Sequence, residues 1–356
     1  MAQFYPLSVV NKIRETEDAI SISFQIPQDL KSTFAYTHGQ YLTLRMNIGG
    51  EEVRRAYSLC SAPRQDDNLT VTVKRVEGGR MSTHLNAHLQ IGQTIEVMPP
   101  EGRFFIPIDS SADRHYVLVA GGSGITPMMS ILRTVLVDEP KSKVSLIYAN
   151  RNAQSIIFAQ KIQELQQEYG DRLQVQHFLD DDFGSNQVEK GPLTATVLAE
   201  TLKRLVPDNS QTHYFLCGPG GMMEQAKLGF DSLNISPERI HIEYFTAPVS
   251  GGATQTAPKP EAPAQGSKVI ISLYGETHEV QINDQTTILK AATKAGLDAP
   301  FSCEAGICST CMAKVLEGSA VMDENNILSQ DEVNEGYILT CQSHPTAPVV
   351  RIEYID

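Results

Sequence analysis

The stretch Cys303-Glu-Ala-Gly-Ile-Cys308-Ser-Thr-Cys311 sets three thiols on one short loop, and a fourth, Cys341, follows later in the chain. The residues between successive sulfurs number four, two and twenty-nine, the C-x4-C-x2-C…C spacing that ligates a [2Fe–2S] cluster. Three thiolates on a tight loop can wrap a small iron–sulfur rhomb, and one distant thiolate closes the cage. Ala305, Gly306, Ser309 and Thr310 are small, so backbone N–H groups can approach the sulfurs, and Gly306 can take dihedrals closed to bulkier residues. A structural zinc site more often shows two C-x2-C pairs, and here there is one. The opening residues, Met-Ala-Gln-Phe-Tyr-Pro, carry neither the basic segment nor the apolar run of a secretory signal, so disulfides are not expected. The reading is a [2Fe–2S] cluster on Cys303, Cys308, Cys311 and Cys341, with zinc or unligated thiols as the alternatives.

A chain of 356 residues is long for one domain and predicts two or three, each able to bury a core. The longest uncharged stretch, His115 to Leu132, is interrupted by Gly121-Gly122-Ser123-Gly124 and Pro127 and stops at Arg133, short of a membrane span. The expectation is a cytoplasmic protein that does not cross a membrane. Net charge is −13, of which −8 falls in the residues from Lys268 onward. Such an acidic balance argues against a nucleic-acid partner. The acidic C-terminal part is either a solvated face or a surface steering toward a basic patch on a redox partner.

The clearest boundary is Thr246 to Ser267, TAPVSGGATQTAPKPEAPAQGS, a composition expected of a flexible tether. Residues up to about Asp109 alternate apolar and polar at Ala19–Ile26, Gln40–Met46, Glu52–Leu59, Leu69–Val76 and Thr94–Met98. This predicts short strands in a small barrel, with a Gly49-Gly50 hairpin turn and one helix near Met81–Leu89. From His115 the rhythm becomes strand–helix alternation. Strands are predicted at Tyr116–Ala120, Val144–Ala149, Leu173–Leu179, His213–Cys217 and Ile240–Phe245. Helices are predicted at about Pro127–Val137, Ile156–Glu168, Leu193–Leu205 and Gly221–Leu233. That pattern means a doubly wound parallel α/β sheet, whose ligands sit beyond the carboxyl ends of the strands. The expected domains are residues 1–110, 111–245, a linker 246–267 and 268–356.

The first strand of that sheet runs into Gly121-Gly122-Ser123-Gly124-Ile125-Thr126-Pro127. Glycines let the backbone turn tightly, Thr126 is expected to cap the next helix, and Pro127 to occupy its first position. The helix start then offers N–H groups to a diphosphate. A glycine-rich turn alone is weak evidence, and this one is not G-x-G-x-x-G. Its context strengthens it, since Cys217-Gly218-Pro219-Gly220 ends a later strand of the same sheet. By itself Cys217 reads as a buried strand-end thiol.

Arg55-Ala-Tyr57-Ser58, Gly79-Arg-Met81-Ser82, GGSGITPM and the Cys217-Gly-Pro turn occur in the order found in the ferredoxin–NADP reductase superfamily. With its cysteine-bearing C-terminal part, the chain resembles an oxygenase reductase carrying a plant-type ferredoxin domain of β-grasp fold. The resemblance is greatest to the reductase subunits of phenylacetyl-CoA epoxidases. It implies FAD on an antiparallel β-barrel: Arg55 on the flavin diphosphate, Tyr57 on the ribityl or isoalloxazine, and Ser58 hydrogen-bonding near N5. Val73, Lys74 and the backbone of Gly79, Met81 and Ser82 would complete the phosphate and adenosine side. An always-charged planar Arg suits phosphate oxygens, although Arg55 could also be a surface strand residue beside Arg54. The GGRMS form is more similar to FAD-binding members than to FMN-binding phthalate-type reductases. The resemblance further implies that Gly122, Gly124, Thr126, Pro127, Gly218 and Pro219 receive the dinucleotide. Cys217 and Glu243, with Phe245 nearby, would line the nicotinamide–flavin contact, leaving Ser58, Cys217 and Glu243 as the catalytic set. Glu243 reads equally as a solvent-facing strand residue.

After the third strand comes Leu179-Asp180-Asp181-Asp182, where NADPH-using relatives often carry a Ser-Arg pair. A carboxylate there, with Asp180 as the candidate, accepts bonds from a ribose 2′-hydroxyl and repels a phosphate. Arg151 pulls the other way, and the three aspartates could be a plain loop. The balance favours NADH over NADPH. The resulting expectation is an NAD(P)H:acceptor oxidoreductase, a relay from NADH through FAD and the cluster to a separate oxygenase component, because a flavin matches a two-electron donor to a one-electron acceptor. The resemblance also implies that the iron held by Cys303 and Cys308 lies nearer the surface and takes the electron. The competing readings are a redox sensor, a reductase for another acceptor such as a desaturase or haem monooxygenase, and a self-contained oxygenase. For the last, no H-E-x-x-H or two-His-one-carboxylate grouping is evident.

Overall fold

A computed structural model describes residues 3–181, 188–206, 211–245, 266–283 and 285–355. Phe4–Phe245 form one compact unit, and the residues from Gly266 onward belong to a second.

The first unit begins with six antiparallel strands: β1 (Tyr5–Thr16), β2 (Ala19–Gln25), β3 (Tyr41–Ile48), β4 (Glu51–Ser58), β5 (Leu69–Lys74) and β6 (Thr94–Val97). Their order is β4-β3-β6-β1-β2-β5. The outer strands meet through a Leu59–Val71 bridge and a Cys60 N–H to Thr70 O bond of 2.9 Å, which closes the sheet into a barrel. Leu7, Ile20, Phe24, Leu42, Leu44 and Val71 fill it. Gly49 and Gly50 both have positive φ (65° and 86°), the two-residue turn whose twist matches a hairpin. Helix α1 (Arg80–His88) packs Met81 and Leu85 into the core.

Strand β1 was not expected from sequence. Pro6 weakens its strand signal, and its second half lies largely exposed. It is defined by pairing with β6 over residues 5–8 and with β2 over residues 8–16.

The same unit continues into a parallel sheet: β7 (His115–Gly121), β8 (Lys143–Asn150), β9 (Leu173–Leu179), β10 (Val188–Lys190), β11 (Thr212–Cys217) and β12 (Ile240–Glu243). The order is β10-β9-β8-β7-β11-β12. All seven residues of β7 are buried, as expected of a central strand covered on both faces. Helices α2 (Ile125–Asp138) and α3 (Ala159–Tyr169) cover one face, while α4 (Ala195–Leu205) and α5 (Gly220–Ser232) cover the other. The edge strand β10 is an addition to the sequence reading, being three residues held by pairing to β9. Strand β12 ends at Glu243, two residues before the expected Phe245.

The barrel is fixed to this sheet by polar bonds. Arg133 of α2 grips Asp66 at 2.6 and 2.9 Å, and Ser130 donates to Ser61 O at 2.6 Å. The fully buried Glu139 accepts from Asp109 N–H, Arg114 and Tyr116, each at 3.0 Å. That pins the connector between the two parts.

The second unit is a five-stranded mixed sheet. Strands β13 (Ser267–Leu273), β14 (Glu276–Ile282), β15 (Met312–Glu317), β17 (Tyr337–Leu339) and β19 (Val349–Tyr354) stand in the order β14-β13-β19-β15-β17. β13 and β19 run parallel at the centre, the β-grasp arrangement, with helix α6 (Ile288–Lys294) burying Ile288, Leu289 and Ala292 in the core. β16 (Ala320–Met322) pairs with β18 (Ser343–Pro345), and α7 (Gln330–Asn334) completes the unit. The expected linker, 246–267, lies outside the described residues except for its last two. Of these, Ser267 opens β13 and pairs with Ile282, so it is strand and not tether.

Candidate functional site

The parallel sheet reverses its winding between β7 and β11, for the chain leaves β7 toward β8 and later returns to β7's other side with β11. Crevices that take ligands form at such a reversal, beyond the carboxyl ends of the strands. Here those ends carry the glycine loop after β7, Cys217-Gly218-Pro219 after β11, and Glu243 at the end of β12. The two loops are packed backbone to backbone. A Cβ on Gly124 would overlap Cys217 O and lie 2.9 Å from Gly218 N, and one on Gly218 would lie 2.9 Å from Gly121 N.

The helix after the loop starts earlier than expected. A 3-10 turn at Gly122–Gly124 leads directly into α2 at Ile125, with Gly124 as the cap. Thr126 is therefore the second helical residue and Pro127 the third, not the cap and first position. The Thr126 hydroxyl donates back to Ser123 O at 3.0 Å. Gly122 takes φ +51°, open to glycine at low cost.

Three of the predicted residues meet although they are distant in sequence. Ser58, at the end of β4, donates to Glu243 Oε2 at 3.0 Å across 185 positions. Glu243 is opposite Cys217 in the β11–β12 ladder. All three are buried, so Glu243 is not a solvent-facing residue. Burial raises its carboxyl to about 8, partly offset by the Ser58 bond. Burial also pushes the Cys217 thiol well above its ordinary value, with Glu243 adding to the effect. A carboxyl and a thiol whose burial favours their protonated forms thus share one desolvated spot with a hydroxyl at the switch point, able to hold a proton and to exclude water. Phe245, two residues on, is exposed.

On the barrel, the two adjacent arginines take different roles. Arg54 is buried and bound to Glu52 at 2.8 Å. Arg55 is exposed and donates to Arg54 O at 2.6 Å, with no carboxylate partner among the described residues. Tyr57 is half-buried against the barrel core, and burial raises its phenol. Val73 is fully buried in that core and presents its backbone carbonyl to Asn86. Met81 likewise buries its side chain, so both reach a ligand only through backbone. Gly79 caps α1, where a Cβ would meet Ser82 Oγ at 2.5 Å and Val76 O at 3.0 Å. Ser82 Oγ accepts from Val76 N–H at 3.1 Å and so holds that loop. The Lys74 ammonium lies 3.4 Å from where a Gly122 Cβ would stand, which brings it to the glycine loop. No motif in the chain announces that approach.

Asp180 and Asp181, just past β9, are exposed, and their N–H groups bond Asn150 O and Arg151 O at 3.1 and 2.8 Å. Their carboxylates stand at the ligand edge of the sheet. Asp182 lies outside the described residues.

In the second unit the four thiols converge. Cys303 neighbours Cys308 and Cys341, and Cys341 neighbours Cys311. The chain of neighbours Cys308–Cys303–Cys341–Cys311 gives two pairs, one for each iron of a rhomb. Hydrogen bonds from Cys308 and Cys341 draw the Cys303 thiol far below its ordinary value, and the N–H groups of Ala305 and Ile307 add to this. The Ala305 N–H lies 3.4 Å from Cys303 Sγ. Gly306 has φ +69°, and a Cβ there would press Glu324 O at 2.9 Å, so the loop needs glycine. The buried Ser302 hydroxyl beside Cys303 has no partner among the described residues, a donor left over for a cluster sulfur. Among the described residues no three His, Cys, Asp or Glu side chains converge as ligands of one metal ion. The two thiol pairs and the C-x4-C-x2-C…C spacing fit a two-iron cluster. Cys303 is the half-exposed member, the other three being buried.

Residues 6–106 match the oxidoreductase FAD-binding domain family, 118–227 the oxidoreductase NAD-binding domain family, and 271–346 the 2Fe-2S iron-sulfur cluster binding domain family. The chain is 35% identical over 355 residues to a 1,2-phenylacetyl-CoA epoxidase subunit of Escherichia coli K12, covering 99% of this chain and 98% of that one. It is also 35% identical over 355 residues to the ferredoxin reductase component of 3-ketosteroid-9-alpha-monooxygenase from Mycobacterium tuberculosis, covering 98% and 95%. Among solved structures, phthalate dioxygenase reductase aligns with a TM-score of 0.60 at 25% identity, over 99% of this chain and 98% of that one. No helix among the described residues is long and apolar enough to cross a membrane. Three domain matches in series, two relatives alike over nearly their full length, and the paired thiols together place this chain in the family of oxygenase reductase components built from FAD-binding, NAD-binding and [2Fe–2S] domains.

Proposed function

We propose that this chain takes electrons from NADH, with NADPH the less favoured donor, and passes them through FAD and a [2Fe–2S] cluster to a separate oxygenase component. The single observation that carries the reading is the meeting of Ser58, Cys217 and Glu243 at the switch point, in a chain whose second unit gathers four cysteines. A bound flavin supplies a carrier that accepts two electrons from a nicotinamide and releases them one at a time.

The chain's own residues do the rest. Arg55 and Lys74 offer unpaired cations to diphosphate oxygens. Gly122, Gly124 and Gly218 let backbone come close to the dinucleotide, and Thr126 fixes the loop that Pro127 continues into helix. Ser58 and Glu243 hold a proton beside the reacting atoms, and the buried Cys217 keeps water away. Cys303 and Cys308 hold one iron, Cys311 and Cys341 the other, with the half-exposed Cys303 marking the side facing an acceptor. The exposed carboxylates of Asp180 and Asp181 favour a ribose 2′-hydroxyl over a 2′-phosphate. The phenylacetyl-CoA epoxidase relative makes an oxygenase of that type the leading candidate acceptor. Residues 246–266 would serve as the tether between domains, with divisions near 110 and 245. Rapid mixing of the purified protein with NADH and, separately, NADPH tests the reading. Flavin absorbance should fall faster with NADH; equal or faster loss with NADPH would refute the donor assignment.

A further inference from the structure

A cleft of about 650 Å³ opens between the two parts of the first unit, within the size range of small-molecule sites. One wall is the barrel, with Lys74, Gly78 and Thr83. The other is the turn after β8, with Arg151, Asn152 and Ser155. The charged groups facing it are Lys74, Arg75, Arg151, Glu17, Asp18 and Glu77. Arg75 is committed to Asp18, its Nε lying 3.0 Å from the carboxylate. Lys74 and Arg151 have no carboxylate partner among the described residues. Two unpaired cations therefore face one cleft from opposite walls, an arrangement that suits an anion held between them.

Sequence alone left Arg151 as a candidate for a dinucleotide 2′-phosphate. In the structure Arg151 lines one cleft with Lys74 and the Gly78 turn leading into α1, while its carbonyl accepts the Asp181 N–H at 2.8 Å. We propose that Arg151 grips the adenosine-side phosphate of FAD from the nucleotide-binding half, opposite Lys74, and so selects FAD over FMN. The inference rests on the FAD reading of the barrel. FMN has no adenosine half, so Arg151 would have nothing to hold, whereas Arg55 would serve either flavin.

The test uses the holoprotein and its Arg151→Ala variant, a change at an exposed side chain. Flavin released by heat from the wild type is identified first. FMN there would defeat the FAD reading itself, separately from the Arg151 proposal. Affinities for FAD and FMN are then measured by fluorescence quenching on the stripped and reloaded proteins, with KM for NADH and NADPH alongside. Loss of one charge-assisted hydrogen bond should weaken FAD about tenfold and leave FMN within about twofold, and Arg151→Lys should recover part of the loss. Unchanged FAD affinity would overturn the proposal, whether or not KM for NADPH rises.

Discussion

Replacing Glu243 by Gln keeps the shape of the buried acid and removes its titration. Burial raises the carboxyl from 4.5 to about 8. At about 1.4 kcal/mol per pH unit, ionising it costs the folded chain on the order of 5 kcal/mol more than the unfolded chain. Between about pH 4.5 and 8 the folded chain keeps the proton and the unfolded chain has lost it. Stability of the parent therefore falls as pH rises through that window, and levels off above about 8. The Glu243→Gln variant lacks this loss. Its advantage should grow from near zero at pH 5 toward a few kcal/mol at pH 8, a gap in melting temperature on the order of 10 °C. Thermal ramps followed by the rise of released-flavin fluorescence, at pH 5 to 9, read the gap directly. A gap that stays constant across that range would mean that Glu243 is already ionised at neutral pH, and would refute the picture of a protonated acid at the switch point.

Ser58→Ala removes the bond that lowers the Glu243 carboxyl, so the upper end of the same pH dependence should move above about 8 in the same ramps. Gly124→Ala sets a Cβ against the backbone of Cys217 and Gly218, where little can yield. It should slow flavin bleaching by NADH at least about tenfold while flavin retention stays within about twofold, checked by rapid mixing and absorbance. Cys303→Ser should abolish iron retention, whereas Cys60→Ser, at a buried thiol bound to Thr70 and Thr72, should leave iron unchanged by metal analysis. Asp180→Arg should lower KM for NADPH about tenfold and raise it for NADH, read from initial rates with each donor.

Signals carried by local chemistry were legible in the chain. The cysteine spacing, the glycine loop after β7 and the strand–helix alternation each follow from what a short segment must do. Features set by distant neighbours were not. Half of β1 is solvent-exposed, so its alternation is weak, and β10 exists through its pairing with β9. Thr126 and Pro127 looked like a cap and a first turn because a Thr-Pro pair commonly fills those places. The 3-10 turn at Gly122–Gly124 moved the helix start forward. The Ser58–Glu243 bond joins residues too far apart for any periodicity to link. The approach of Lys74 to Gly122 and the cleft it shares with Arg151 depend on how the barrel packs on the sheet, through bonds such as Arg133–Asp66 that no motif announces.

The most direct measurement is an anaerobic titration of the purified protein with NADH, following visible absorbance and electron paramagnetic resonance together. The expected outcome is loss of the flavin bands, then of the cluster bands, with an unpaired-electron signal from a reduced two-iron centre held by Cys303, Cys308, Cys311 and Cys341. Flavin bleaching without any such signal, or zinc in place of iron on metal analysis, would contradict the relay.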